Sequence, residues 1–195
     1  MEQLFLFLDK VWPLPGALKE HLVRALRTKV FRRKEFLLKA GHVSRNIYFI
    51  ERGLVRCFYH VAQKDISAWF MKEGDVVVSI HSFFLQTASA ENIQALEETT
   101  VHYISYEELE DIYCRFLSFN VNGRKILTHY YCLSEQRAIS MRSLKAKERY
   151  QFLLKHEPEL LQRVPRKYLA SYLGVTEATL SHINGRKPLT IKPST

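Results

Sequence analysis

The sequence predicts an α+β protein with three parts. These are an N-terminal antiparallel β-roll of the double-stranded β-helix type, a long helix, and a C-terminal all-α domain that contains a helix-turn-helix. Residues 29–106 contain short β-rich runs separated by glycines, and residues 120–145 show unbroken helical periodicity. Residues 166–183 carry two short apolar stripes around a glycine. A length of 195 residues is sufficient for two domains.

The N-terminal segment predicts an amphipathic helix ahead of the roll. Residues 15–27 place Leu18 and Leu22 on one face, and Pro15 suits the first turn of a helix. The apolar run at residues 4–8 is too short to cross a bilayer, and no positively charged region precedes it. We therefore expect neither a signal peptide nor a membrane anchor, no membrane partner, and a cytoplasmic location.

The β-rich part of the chain predicts antiparallel strands. Its runs lie at residues 30–38, 47–50, 54–61, 66–71, 76–80 and 93–104. Alternation of side chains along residues 55–61 is typical of a strand. Gly41, Gly53 and Gly74 lie between runs, and no helical segment long enough for a parallel crossover separates them. The spacing predicts a compact roll or barrel.

The long helical segment carries two rows of side chains with alternating spacings of three and four. The first row is Ile126, Tyr130, Leu133, Arg137, Ser140 and Leu144, and the second row is Leu127, Tyr131, Ser134, Ala138 and Met141. Two rows favour two neighbours. We expect one row to pack on the roll and the other to meet the same helix of a second subunit. The alternative is a single helix buried inside one subunit. A shorter helix is predicted at residues 106–113.

The C-terminal part predicts two short helices joined by a tight turn. Leu169 and Leu173 lie one helical turn apart on the first helix, and Leu180 lies on the apolar face of the second. Gly174 can adopt the positive φ that ends a helix, and the Thr176 hydroxyl can cap the next one. This is the pattern of a helix-turn-helix. The alternative is a plain helical hairpin in a core.

Basic residues concentrate around this motif. Residues 141–195 hold 11 Lys and Arg against 4 Asp and Glu, whereas residues 1–140 hold 18 against 16. Because Lys and Arg neutralise phosphates, we expect the motif to bind double-stranded DNA, with its second helix in the major groove. The residues expected to contact DNA are Arg166, Lys167, Thr176, Glu177, Thr179, Ser181, His182, Arg186 and Lys187.

The order of parts and four motifs resemble the Crp/Fnr family of bacterial transcription regulators. The motifs are LLKAG at 37–41, YFIERG at 48–53, KEGD at 72–75 and LASYLGVT at 169–176. The resemblance implies a homodimer that regulates transcription in response to an effector bound in the roll, with RNA polymerase as a candidate partner. It implies a cyclic-nucleotide-binding-like sensor domain at 1–118, a dimerisation helix at 119–145 and a helix-turn-helix domain at 146–195.

The effector positions depart from the pattern of the cyclic-AMP-binding members. Those members hold the cyclic phosphate with a Gly-Glu-Leu turn and an Arg-Ser pair, and these places read Val78-Ser79-Ile80 and Ser89-Ala90. Without the arginine, a buried phosphate lacks its cationic partner. We therefore expect no cyclic AMP binding of the usual kind, and control by another effector or by none. The polar residues that could line a pocket are Ser79, His81, Ser82 and Ser89, and a surface loop is the alternative.

Enzymatic activity, a cofactor and a metal site are not expected. Small β-rolls also host cupin-type metal chemistry, which needs clustered His and carboxylate ligands. The histidines of the roll are scattered singly, at His42, His60, His81 and His102. Three cysteines without a CxxC pair exclude a disulfide framework and an iron–sulfur signature. We expect Cys57, Cys114 and Cys132 to be reduced and mostly buried.

The predicted reading helix also departs from the family pattern. Family members often carry Arg or Pro and then Glu at its start, and Arg one turn later, whereas this chain has Glu177-Ala178 and then His182. Loss of a guanidinium weakens recognition of guanine. A ligand-gated protein-interaction module with a degenerate helix-turn-helix is therefore the alternative function. Residues 160–165 are too few for the β-hairpin wing of many members.

Overall fold

The structure, a computed structural model, describes residues 1–185. The chain forms two compact units that divide after Gln136. The first unit contains the roll and the helices that pack on it. The second unit contains the end of the long helix and the short C-terminal helices.

The described residues form strands and helices in the predicted general order. The strands are β1 (Arg27–Phe31), β2 (Phe36–Leu38), β3 (Asn46–Arg52), β4 (Val55–Val61), β5 (Lys64–Met71), β6 (Val76–Val77), β7 (Glu91–Ala95) and β8 (Thr99–Ser105). The helices are α1 (Glu2–Val11), α2 (Gly16–Ala25), α3 (Ile80–Leu85), α4 (Tyr106–Arg115), α5 (Phe119–Ser143), α6 (Ala146–His156), α7 (Leu160–Arg163), α8 (Arg166–Tyr172) and α9 (Glu177–Gly185).

The strands form two four-stranded sheets, which confirms the predicted antiparallel roll. One sheet has the order β1-β8-β3-β6 and the other β2-β7-β4-β5, and the paired strands run antiparallel. Ile50 and Val101 of the first sheet share a core with Val55 and Ile93 of the second, and all four are fully buried. Burial alternates strictly along β7, where Glu91, Ile93 and Ala95 are buried.

Three predicted strands differ from the structure. The run at 30–38 is divided into β1 and β2 by a turn in which Lys34 has φ +72°. The run at 93–104 is divided into β7 and β8 at residues 96–98. The run at 76–80 ends as a strand at Val77, because the next residues turn into α3. In the first two runs the strand ends at polar residues, 32–35 and 97–98, and only in the third does the turn follow a short apolar stretch.

The apolar run at residues 4–8 belongs to α1. The sequence predicts no helix here, because consecutive apolar residues show no helical period. Leu4 and Leu8 of this helix are buried in a second core beneath the roll. The side-chain amide of Asn122 on α5 donates hydrogen bonds to the Leu8 and Trp12 carbonyls, at 2.9 and 3.0 Å. The Leu8 carbonyl also accepts from the Trp12 N–H at 3.0 Å, whereas the Trp12 carbonyl lies at the C-cap of α1, where the helical bonding ends.

Gly53 occupies a turn that only glycine fits. Its φ is +111°, and a Cβ at this position would lie 2.6 Å from the Thr99 Cα. Backbone conformation and the close approach of a neighbouring strand thus require the same residue. The predicted role of this glycine as a turn between strands is confirmed.

The prediction of mostly buried cysteines is wrong for two of the three. Cys57 is buried in the roll, where burial raises the pKa of its thiol. Cys114 on α4 and Cys132 on α5 are exposed, because both lie on helix faces that meet solvent. No disulfide joins them.

Candidate functional site

A cavity of about 710 Å³ lies in the first unit, and we call it the roll cavity. Side chains of both sheets, α3 and α5 line it, and most of them are aliphatic or aromatic, such as Trp69, Phe84 and Leu127. Its volume falls within the usual range for small-molecule sites. Among the residues that the structure describes, no Lys or Arg lines this cavity.

Glu91 is the acidic residue of the cavity wall. It lies on β7 in phase with the buried Ile93 and Ala95, and its exposed fraction is 9%. Burial raises the pKa of its carboxyl to about 7, while a hydrogen bond from Ser79 opposes this rise. Burial penalises the charged form of an acid, so this carboxyl is half protonated near neutral pH. Glu91 is not among the residues predicted from the sequence, although its alternation with Ile93 and Ala95 is a signal for it.

Two serines hold Glu91 in place, Ser79 through the carboxyl and Ser89 through the backbone. The hydroxyls of Ser79 and Ser89 lie 3.0 Å apart. The Ser89 hydroxyl accepts a hydrogen bond from the Glu91 N–H at 2.9 Å and donates to the Glu91 carbonyl at 3.0 Å. Ser79 before α3 and Ser89 before β7 therefore meet here, and they bring two hydroxyls and a carboxyl together.

The four residues predicted for an effector pocket occupy different places. Ser79 and His81 line the roll cavity, whereas Ser82 and Ser89 are buried beside it and are outside its lining. The Ser82 hydroxyl accepts from the Ser44 N–H at 2.8 Å, which fixes the loop before β3. His81 lies on α3 and is exposed, so it is a surface residue in a short helix rather than in a loop.

Tyr130 of α5 joins the long helix to the roll. Its hydroxyl accepts a hydrogen bond from the Val76 N–H at 2.8 Å and donates to the Asp75 carboxylate at 3.4 Å. Burial raises the pKa of both the Asp75 carboxyl and the Tyr130 phenol. The turn before β6 is thus tied to a side chain that also lines the cavity.

The two rows of α5 differ in exposure. Residues of the first row are half-buried, namely Ile126, Tyr130, Leu133, Arg137 and Ser140. Residues of the second row are exposed, namely Leu127, Tyr131, Ser134, Ala138 and Met141. Leu144 lies after the helix end and is exposed. The protein thus leaves one apolar row of α5 in contact with solvent.

In the second unit, α8 and α9 are joined by a turn at Gly174, whose φ is +66°. Leu169, Ala170 and Leu173 on the first side and Leu180 on the second are buried. The apolar residues therefore occupy the positions that the spacing predicts. Residues 160–163 form α7, and no strand is present in the described residues of this unit.

The residues predicted to contact DNA lie on the surface of this unit. The exposed ones are Arg166, Lys167, Thr176, Glu177, Thr179, Ser181 and His182. The Thr176 hydroxyl accepts from the Thr179 N–H at 3.1 Å and caps α9 as predicted. The Ser181 hydroxyl donates to the Glu177 carbonyl of its own helix at 2.9 Å. Arg186 and Lys187 lie outside the described residues.

Two arginines stabilise the end of α8. Arg137 donates to the Tyr172 carbonyl at 2.8 Å, and its guanidinium lies 3.7 Å from the centre of the Tyr172 ring. Arg149 donates to the Leu173 carbonyl at 3.0 Å. Cations favour helix C-termini because the carbonyls there have no partner within the helix. Part of the C-terminal basic charge therefore serves the fold.

The described part of the chain lacks the features of two other kinds of site, clustered metal ligands and long apolar helices. It contains no group of three or more His, Cys, Asp or Glu residues that could hold a metal ion. It also contains no helix that combines the length and the apolar composition needed to span a membrane.

Residues 28–115 match the family model of the cyclic nucleotide-binding domain. This segment includes β1 to β8, α3 and α4 and therefore the roll. A search of curated proteins by sequence gave no significant match.

Several solved structures share the fold over most of their length. FixK2 from Bradyrhizobium japonicum is similar with a TM-score of 0.70 and 18% identity, over 82% of each chain. CLP from Xanthomonas campestris, a c-di-GMP responsive global regulator, has a TM-score of 0.68 and 17% identity, over 87% of this chain and 89% of CLP. A CooA mutant from Carboxydothermus hydrogenoformans has a TM-score of 0.66 and 21% identity, over 87% of this chain and 77% of CooA. At 17–21% identity, these likenesses show a shared fold.

Proposed function

We propose that this chain is a sequence-specific DNA-binding transcriptional regulator that acts as a homodimer. The observation that carries the proposal is the division of α9 into a buried apolar side, with Leu180, and an exposed polar side, with Glu177 and His182. The likeness to FixK2 and to the global regulator CLP supports it. A helix held at one side by a core and polar at the other suits insertion into a major groove.

DNA recognition divides between phosphates and bases. Arg166 and Lys167 begin α8 and would contact phosphates, which fix position without reading sequence. Glu177 and His182 would face base edges from α9. In the described residues, neither of these two side chains makes a hydrogen bond, so both are available for a partner. Arg186 and Lys187 remain predicted phosphate contacts.

The proposed dimer uses the exposed row of α5. Leu127, Tyr131 and Met141 belong to this row and are exposed large hydrophobic residues. Contact with the same row of a second copy would bury them around a two-fold axis. The two copies of α9 would then read the two halves of a palindromic operator, about one duplex turn apart.

The proposed effector is not cyclic AMP. The lining of the roll cavity supports this part of the proposal, because its described residues contribute a carboxyl and no Lys or Arg. A cyclic phosphate would be buried without a cationic partner and close to a negative charge. The roll would then bind a different effector, or it would bind none and serve only as a scaffold.

The test of DNA binding is fluorescence anisotropy with DNA from upstream of the protein's own gene and with scrambled DNA, over a salt series. We expect specific, salt-sensitive binding that cyclic AMP does not change. Lys167→Gln should weaken binding to all sequences and lower the salt slope by about 1. Lys64→Gln is the matched control, because it removes one exposed positive charge from the roll. Absence of specific binding, with or without cyclic AMP, would favour the interaction module.

The test of base reading is His182→Ala on a randomised operator library. Loss of a base contact costs about 1–3 kcal/mol and relaxes preference at one position of each half-site. His156→Ala is the matched control, because it removes an exposed histidine of α6 that is not among the predicted DNA contacts. An unchanged preference for His182→Ala would show that this residue does not read bases.

The test of the dimer is analytical ultracentrifugation of Ala138→Glu. Ala138 is exposed in the middle of the proposed contact row, so two facing carboxylates would separate the subunits. Gln136→Glu adds the same charge to an exposed position on the far side of the same helix and should leave the dimer intact. A monomeric wild-type chain, or equal sedimentation of both variants, would contradict the proposed contact.

A further inference from the structure

We propose that the roll cavity binds a small apolar molecule that carries a protonated amine, and that the amine forms an ion pair with Glu91. This inference rests on the proposed role of the cavity as an effector site. It adds the chemical class of the ligand. Three features of the cavity support it: the sign of its charge, the lack of a partner for Glu91 and the composition of its walls.

The sign of the charge selects against anions. Glu91 is buried at the wall, and the described residues of the lining include no Lys or Arg. His81 and His102 also line the cavity, and His102 Nε2 already lies 3.0 Å from the Glu51 carboxylate. A phosphate or carboxylate entering this cavity would lose its hydration without gaining a fixed opposite charge. A cation would instead meet the carboxylate of Glu91.

Glu91 has no ion pair with any other residue in the described part of the chain. It accepts a side-chain hydrogen bond from Ser79, a neutral group. Its cross-strand neighbour on β4 is Tyr59, which is also neutral at physiological pH. A buried carboxylate supported only by neutral donors retains most of its desolvation cost. An ammonium group at this place would offset that cost.

The walls suit an apolar body next to the amine. Tyr59 and Trp69 on the second sheet line the same cavity as Phe84 on α3 and Tyr131 on α5. Aromatic faces attract cations as well as apolar groups. A cavity of about 710 Å³ has room for a molecule larger than a simple amine.

The affinity for an amine should rise with pH through the titration of Glu91. With a pKa of about 7, the fraction of Glu91 that is ionised increases about tenfold between pH 6 and pH 8. An amine with a pKa near 10 stays protonated over this interval. The other titratable groups that share the cavity are Tyr48, Cys57, Tyr59, His102 and Tyr103 on the sheets, and His81, Tyr113, Tyr130 and Tyr131 on the helices.

The experiment uses three probes with one body and different head groups. Isothermal titration calorimetry of the full chain, without DNA, measures binding of 4-phenylbutylamine, 4-phenylbutanol and 4-phenylbutyrate at pH 8. We expect the amine to bind at least tenfold more tightly than the alcohol, and the carboxylate to bind most weakly. The amine affinity should fall about tenfold at pH 6.

Glu91→Gln is the decisive variant because it keeps the shape of the side chain and removes its charge. It should abolish both the preference for the amine over the alcohol and the pH dependence. Glu20→Gln removes an exposed carboxylate from α2, outside the cavity lining, and should leave both unchanged. Thermal melting of each variant verifies that it is folded.

Four results would overturn the proposal: no binding of any probe, equal affinity for amine and alcohol, tightest binding of the carboxylate, or an amine preference that survives in Glu91→Gln. These results are independent of the proposed function, because no DNA is present. A protein that binds the amine but no DNA would retain this inference and lose the regulator. A protein that binds DNA but none of the probes would retain the regulator and lose this inference.

Discussion

The roll cavity and the α8–α9 pair use charged residues in opposite ways. In the cavity, a carboxyl is buried in an apolar wall whose described residues include no Lys or Arg. In the helix pair, Arg137 and Arg149 are used inside the unit to hold α8, and the predicted DNA contacts are exposed. A charged residue can therefore be assigned to DNA binding only after its contacts within the protein are known. Total charge alone overstates the DNA-binding surface.

The strongest test of the helix pair is Leu180→Ala. Leu180 is 3% exposed and packs the reading helix against its unit. Removing its side chain should cost about 2–5 kcal/mol and reduce hydrogen-exchange protection across residues 177–185. Leu154→Ala is the matched control, since Leu154 is 45% exposed, and it should cost less than about 1 kcal/mol. Equal losses would mean that α9 is not held by this contact.

The test of the cavity is the pH dependence of stability in Glu91→Gln. In the native protein the pKa of Glu91 is raised from 4.5 to about 7, so the native state holds a proton that the unfolded chain releases. Stability due to this group is present below pH 4.5 and is lost as pH rises through 7. Between pH 5.5 and 8.5 the wild type should lose roughly 2 kcal/mol from this source.

Glu91→Gln should not show this loss, and its advantage over the wild type should therefore grow with pH. Urea unfolding at several pH values measures the difference. Glu20→Gln, which removes an exposed carboxylate, should follow the wild type. A constant difference between Glu91→Gln and wild type would mean that Glu91 is ionised throughout the range.

The helix pair was predictable because its information is local. The spacing of Leu169, Leu173 and Leu180, the positive φ of Gly174 and the cap at Thr176 all lie within a few residues of one another. Helical geometry converts such spacing directly into a shared face. The two rows of α5 were predictable for the same reason, and the structure gives them different exposures.

The cavity was not predictable in the same way because distant segments build it. Ser79 follows β6, Glu91 begins β7, and Tyr130 belongs to α5. No sequence spacing relates these residues. The short helix α3 also has no clear period, since it carries Ile80, Phe84 and Leu85 exposed and Phe83 buried. Only Glu91 gave a local signal, a charged residue in phase with two buried apolar ones.

The smallest effect separates the two roles of Thr176, which is both a cap and a predicted DNA contact. Thr176→Ala removes the hydroxyl that accepts from the Thr179 N–H, and it should destabilise α9 by about 1 kcal/mol. Thr176→Ser keeps the hydroxyl and should restore stability. If DNA affinity in the serine variant also returns to the wild-type value, the hydroxyl accounts for both roles. If stability returns while affinity stays low, the threonine methyl contacts DNA directly, as apolar contact with a thymine methyl would require. A serine variant as unstable as the alanine variant would contradict the cap, and hydrogen exchange at residues 177–180 distinguishes these outcomes.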